Sequence, residues 1–183
     1  FAIPACEIPA TGNFVTMQVG AYAIVIVRGA DGKIRSFHNA CRHRGSRVCT
    51  AHKGSAPKLV CPYHQWTYEL DGRLRGAPYM TRNECFDRAE LRLPAIRCEV
   101  WLGFILVTLN PEAPPPGETL RALAVEIAPY DLGTYTELFR EPHVWNTNWK
   151  VLAENFMESY HLPACHAGTI GRLSSIADAE MPE

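Results

Sequence analysis

Cys41 and His43 stand with one residue between them in "NACRHRGSRVC", and eighteen residues past His43 the mixture returns in "LVCPYHQW", with two residues between Cys61 and His64. Thiolate and imidazole are the side chains that hold borderline and soft metals. If both loops serve one site, the fold must bring residues 41–43 and 61–64 together.

The flanking sequence permits it. "FVTMQV" and "YAIVIVRGADGKIRSFHN" are rich in β-branched and aromatic residues, and Asp31-Gly32 between two such runs signals a hairpin. A second hairpin is expected in "WTYELDGRLRG" at Asp71-Gly72, and "IRCEVWLGFILVTL" supplies two more strands around Gly103. The first loop follows one hairpin and the second precedes the next. The two can therefore approach a metal from opposite sides. This part reads as small, all-β and antiparallel.

"NPEAPPPGETL", residues 110–120, has three consecutive prolines and a glycine, which oppose regular strand or helix and mark the best domain boundary. The expected division is 1–110, a linker at 111–117, and a second, incomplete domain at 118–183. In that second part "LRALAVEIAPYDL" reads as helix and "TELFREPHVW" as extended chain. "NTNWKVLAENFMESYHL" carries apolar residues at 149, 152, 153, 156, 157 and 160, the spacing of an amphipathic helix that Pro163 should end. The chain starts at Phe1 without an initiator Met, and reads as a piece of a longer protein.

Composition narrows the partners. A formal net charge of -1 from 18 basic and 19 acidic side chains gives no electrostatic reason to expect nucleic acid or an anionic membrane. No apolar run is long enough to span a bilayer, and the start lacks the basic and apolar regions of a signal peptide, so a cytoplasmic location is expected. Seven cysteines, an odd and scattered set, do not suggest a disulfide framework.

Zinc sites usually gather cysteines in one pair and histidines in another, each pair at least two residues apart. Here each loop gives one of each, and the first has a single intervening residue. A 2Fe-2S centre of Rieske type explains this pattern, with Cys41 and Cys61 on one iron and His43 and His64 on the other. Structural zinc is the alternative on ligand type alone.

"CRHRG" followed by "CPYHQWTYELDGRL" resembles the Rieske domain of the bacterial Rieske non-haem iron oxygenases, α subunit, N-terminal portion. The resemblance implies an α+β architecture: an antiparallel all-β Rieske domain followed by the start of an α+β catalytic domain. Respiratory Rieske proteins add a cysteine to each cluster loop, but Tyr63 stands between Pro62 and His64, leaving Cys49 without an obvious partner. An oxygenase or ferredoxin type of cluster is implied. Gln65 departs from the family, which usually has Gly there and so a residue free to adopt positive φ. Arg42, Arg44, Tyr63 and Trp66 are candidates to cover the cluster, though each alone could be an ordinary loop or core residue.

A Rieske domain could still be only an electron carrier, and residues 145–166 discriminate. In "ENFMESYHLPACH", Glu158 and His161 are three apart on an expected helical face, and His166 follows the proline. Two histidines plus a distant carboxylate form the facial triad of a mononuclear Fe(II) site. Alone, the His pair is more readily explained as hydrogen-bonded core. The stretch from Asn148 nevertheless resembles the start of the oxygenase catalytic domain, which implies that His161 and His166 are iron ligands. It also implies that Glu158 bridges His161 to His64 of a neighbouring subunit.

Glu in place of the commoner Asp resembles branches that attack methylammonium or methoxy groups. The third ligand in the family is a far-downstream Asp, and Asp178 is the only Asp after His166, in the wrong region. Glu154 reads as solvated, and Asn155 and Tyr160 as pocket or packing residues. His38, His52 and His143 show no partner pattern.

The resemblance thus implies a terminal oxygenase. It would take NAD(P)H-derived electrons from a reductase or ferredoxin through the 2Fe-2S cluster to mononuclear Fe(II), for ring dihydroxylation, monooxygenation or demethylation of a small organic substrate. A homotrimer or hetero-hexamer is implied, and this stretch alone should be inactive. The alternative is a non-catalytic Rieske ferredoxin-like carrier.

Overall fold

Strand β3 (Tyr22–Arg28) shows how the first part is organised: Val25 and Val27 join one apolar cluster while Ile24 and Ile26 join another, and all four are fully buried. Successive side chains of a strand point to opposite faces, so an uninterrupted apolar run means a strand covered on both sides. In the computed structural model, which describes residues 1–173, β3 pairs with β2 (Asn13–Val19) and β4 (Ile34–His38). The sheet extends outward through β5 (Lys53–Ser55) beside β2, and through β9 (Ala95–Trp101), β10 (Phe104–Thr108) and β1 (Ile3–Pro4) beyond β4. A smaller sheet holds β6 (Leu59–Val60), β7 (Thr67–Tyr68) and β8 (Leu74–Gly76). Among the described residues every strand pairing is antiparallel.

The turns fall where the sequence puts them. Gly72 has φ +88°, and its N–H donates to the Glu69 carbonyl at 2.9 Å. A Cβ there would stand 2.6 Å from the Phe37 ring, so this position needs glycine both for conformation and for space. That contact closes the small sheet onto Phe37, Leu59, Tyr68, Leu70 and Leu74, the cluster that also contains Cys41 and Cys61. The metal-ligand candidates therefore rest on a close-packed floor.

By spatial contact the chain forms two units, dividing after Leu138. The first takes in the proline-rich stretch, where the Arg97 guanidinium donates to the Ala113 carbonyl. That stretch is not wholly irregular: α1 (Pro116–Thr119) is one turn, with Pro116 in the first helical positions, where a missing N–H costs nothing. Helix α2 (Arg121–Ile127) and two short 3-10 turns follow, over the segment expected to be helical.

The second unit, described from Phe139 to Leu173, begins without regular structure and then forms α3 (Trp149–Met157), capped by the Asn148 side chain on the Lys150 N–H at 3.0 Å. The helix ends five residues before the expected stop. Glu158 is already extended at φ −123°, ψ 152°. Pro163 does not terminate α3 but lies in the first turn of the next helix, α4 (Leu162–Cys165), where its fixed φ suits a start. None of the apolar residues of α3 is buried, and Trp149, Phe156 and Met157 are 72–74% exposed. Among the described residues no helix is long and apolar enough to cross a membrane.

Candidate metal centres

The two ligand loops share one backbone pattern. In the first, the Cys41 N–H donates to the Ser46 carbonyl and the Gly45 N–H to the Cys41 carbonyl, both at 2.8 Å. In the second, the Cys61 N–H donates to the Trp66 carbonyl at 2.8 Å and the Gln65 N–H to the Cys61 carbonyl at 3.0 Å. The fifth residue of each loop is left-handed: Gly45 at φ +72° and Gln65 at φ +61°. Gln65 thus adopts the conformation its sister loop assigns to glycine. Its cost is backbone strain of roughly 1–2 kcal/mol for an L-residue, while the loop shape is kept.

These loops bring the four ligand candidates into two pairs. The Nδ1 atoms of His43 and His64 are 3.2 Å apart, with the rings tilted by 73°. Two nitrogens bound about 2.1 Å from one tetrahedral metal stand roughly 3.4 Å apart, so the imidazoles fit a shared metal. Cys41 and Cys61 are buried side by side. Among the described residues no three His, Cys, Asp or Glu side chains converge on one point. Two pairs fit a binuclear cluster better than a single zinc ion, which would gather all four.

Burial raises the Cys41 thiol above its ordinary pKa, opposed by the Tyr68 hydroxyl and a backbone hydrogen bond at His43, and assisted by Cys61. A bound metal cation would supply the charge that removes its proton. Partial burial, with His64 and Arg44 nearby, lowers the His43 pKa, favouring the neutral ring that ligates.

Around the pairs, Trp66 lies stacked under His43, centroids 5.0 Å apart and planes within 11°, and Tyr63 lies 3.8 Å from the His64 ring. Arg42 and Arg44 are exposed. Two neighbours were not foreseen. The Tyr68 hydroxyl lies 3.2 Å from Cys41 Sγ and accepts the Arg42 N–H at 2.9 Å, so its own proton is left for the sulfur. Burial first, and then the Cys41 contact, raises the phenol above its ordinary pKa, keeping that proton in place. Asn39, 2% exposed, accepts the Val48 and Cys49 N–H groups at 2.9 Å and donates to the Cys49 carbonyl at 2.7 Å, closing the base of the first loop. Cys49 is a buried free thiol.

The second unit holds the other constellation. Glu158 and His161 meet through a turn instead of a helical face: Glu158 Oε2 accepts the His161 N–H at 3.1 Å, and Oε1 takes a short hydrogen bond with His161 Nδ1. That hydrogen bond, outweighing partial burial, lowers the Glu158 pKa and keeps a carboxylate against the ring. With Nδ1 so engaged, Nε2 of His161 is the nitrogen left for a metal. The His166 ring is 5.4 Å from that of His161. Two imidazoles face one another without a third ligand among the described residues, and Asp178 lies outside those residues. Glu154, Asn155 and Tyr160 are exposed, and His143 reaches Glu141 at 3.5 Å.

Two family descriptions match different parts of the chain. Residues 1–93 match the family described as "Rieske [2Fe-2S] domain", and residues 130–181 match "Ring hydroxylating alpha subunit (catalytic domain)". The chain is 42% identical over 177 residues to the glycine betaine monooxygenase oxygenase subunit of Chromohalobacter salexigens, covering 97% of this chain and 40% of the relative. It is 30% identical to the carnitine monooxygenase oxygenase subunit of Escherichia coli K12, covering 88% and 44%. The crystal structure of the quaternary ammonium Rieske monooxygenase CntA with L-carnitine superposes with a TM-score of 0.83 at 29% identity, covering 91% of this chain and 48% of that one. Naphthalene 1,2-dioxygenase with indole bound gives 0.78 at 32% identity, covering 100% and 44%. The chain spans about two-fifths of the length of the first of these relatives.

Proposed function

Because the chain belongs to the Rieske [2Fe-2S] family, in the branch of the ring-hydroxylating oxygenase α subunits, we propose that it is part of a terminal oxygenase acting on a small quaternary methylammonium compound. The observation that carries the reading is the pairing of His43 Nδ1 with His64 Nδ1 beside the Cys41–Cys61 pair, together with the Glu158–His161–His166 constellation. A ferredoxin-like carrier would need the first and have no use for the second. The substrate class is supported by the glycine betaine and carnitine relatives, and by Glu at 158.

In this reading Cys41 and Cys61 hold one iron of the cluster, His43 and His64 the other, and His161 and His166 hold a mononuclear Fe(II) with a carboxylate from elsewhere in the full protein. The cluster supplies single electrons and the Fe(II) centre supplies dioxygen activation. Glu158 fixes the His161 tautomer through Nδ1, and in a head-to-tail assembly it would also receive the outer N–H of His64 of the partner subunit. The reaction places one oxygen atom of O2 in an N-methyl C–H bond. The other leaves as water, with two electrons drawn from a reductase or ferredoxin donor and two protons taken up from solvent. The hydroxymethyl product then releases formaldehyde. We further propose the domain division 1–110, 111–117 and 118–183.

The test uses the full-length protein purified without oxygen. Two irons and two acid-labile sulfides per chain, beyond the mononuclear iron, are expected. A single turnover with glycine betaine or L-carnitine should release formaldehyde. Colourless, zinc-loaded protein would overturn the cluster assignment, and turnover of naphthalene but of neither methylammonium compound would overturn the substrate class.

A further inference from the structure

The two imidazoles of the cluster site have different aromatic neighbours. His64 lies against Tyr63, which is 60% exposed. His43 is stacked on Trp66, which is buried, and the edge of Trp66 meets Phe86 with centroids 5.6 Å apart at 70°. Phe86 in turn lines an open depression of about 320 Å³ with Ala77, Met80, Asn83 and Arg88, on the excursion between β8 and β9. An unbroken series of ring contacts thus runs from the surface to one ligand of the reducible iron.

Electron tunnelling weakens exponentially across unfilled gaps and is best supported by packed, polarisable atoms. Trp66 and Phe86 are packed against the same core that supports Cys41 and Cys61, so their ring contacts are held in place by burial. Resting on the oxygenase reading above, in which His64 faces the outlet, we infer that Phe86 and Trp66 form the inward electron route to His43. An electron leaving a reduced iron–sulfur donor at the Ala77–Arg88 depression crosses Phe86 and Trp66. The donor is oxidised by one electron, the histidine-bound iron goes from ferric to ferrous, and neither ring needs to take up or lose a proton.

Cys85, exposed and next to Phe86 in sequence, offers the place to test this. In the full-length protein with Cys6→Ser, Cys98→Ser and Cys165→Ser, a photoactive ruthenium–polypyridyl complex attached to Cys85 injects an electron on a laser flash. Cluster reduction is followed by its absorbance. Phe86→Leu should slow injection by about an order of magnitude, and Phe86→Trp should restore it. The cluster's paramagnetic resonance spectrum and reduction potential should stay as in the parent, which a merely structural role for the ring would not predict. Injection at the parent rate in Phe86→Leu, or slowing accompanied by a shifted potential, overturns the route. Loss of the cluster's spectrum in the parent itself would instead overturn the oxygenase reading.

Discussion

Tyr68→Phe removes one oxygen from a fully buried ring and leaves the packing volume nearly unchanged. The oxygen accepts the Arg42 N–H and directs its own proton at Cys41 Sγ, 3.2 Å away. A hydrogen bond to a charged group contributes about 1.5–3 kcal/mol. Only the part that strengthens when the cluster gains its electron changes the potential. For a one-electron couple a tenfold change in equilibrium constant, about 1.4 kcal/mol, is about 59 mV. If about 1 kcal/mol of the bond is differential, the potential falls by roughly 40 mV, and the whole bond would set a ceiling of roughly 130 mV.

The sign is fixed by charge: the reduced cluster is more negative, so a donor to sulfur favours it and its loss lowers the potential. A mediated redox titration reads the shift, and thermal unfolding reads the cost of leaving the Arg42 N–H without its acceptor, about 1 kcal/mol. A lowered melting temperature with an unchanged potential would refute the reasoning, because the hydroxyl would then serve Arg42 alone.

Three further outcomes follow from named contacts. His43→Cys or His64→Cys should move the potential toward the all-cysteine range near about −400 mV, since thiolate donates more charge than imidazole; an unchanged potential means that the histidine is no ligand. Gln65→Gly should stabilise the protein by about 1 kcal/mol by relieving the left-handed backbone, whereas Gly45→Gln should cost about as much, seen as opposite shifts of the unfolding midpoint. Cys49, whose thiol burial pushes up to about 11, should make stability fall as pH rises. The unfolded thiol releases its proton near about 8.5 while the folded one holds it, a slope of about 1.4 kcal/mol per pH unit. That contribution is fully present below about 8.5 and levels off past the folded value. Cys49→Ala should flatten this limb, and parallel denaturation curves for parent and variant would refute it.

What could be read from the sequence was what is local. Asp31-Gly32 and Asp71-Gly72 lie in hairpin turns as expected, closed at Gly29–Lys33 and Glu69–Arg73 with only the glycine at positive φ, and the spacing of Cys41, His43, Cys61 and His64 pointed to two loops that meet, as the His43–His64 contact has them do. Tyr68 was invisible because its contact with Cys41 joins positions 27 residues apart and depends on how β7 sits against the first loop. Asn39 was hidden for the same reason, its three bonds being made to backbone nine and ten residues away. The end of α3 was missed for a different one. Apolar spacing continues to Tyr160, but the Glu158 carboxylate takes up the His161 N–H, and a side chain competing for backbone hydrogen bonds leaves no mark on an apolar pattern.

Gln65 joins these two kinds of information. Sequence alone could treat it only as a departure from the expected glycine, while the structure gives it the same backbone role as Gly45 in the sister loop. A Cβ at Gly45 would meet nothing within 4 Å, so the equivalent place in the loop is open to a side chain, and the φ angle is the whole of its cost there. The loop's shape is therefore set by the reciprocal hydrogen bonds at Cys61, not by the freedom of the residue after His64. That is why a chain can lose its glycine and still present His64 Nδ1 to His43 Nδ1 at a distance a shared metal needs.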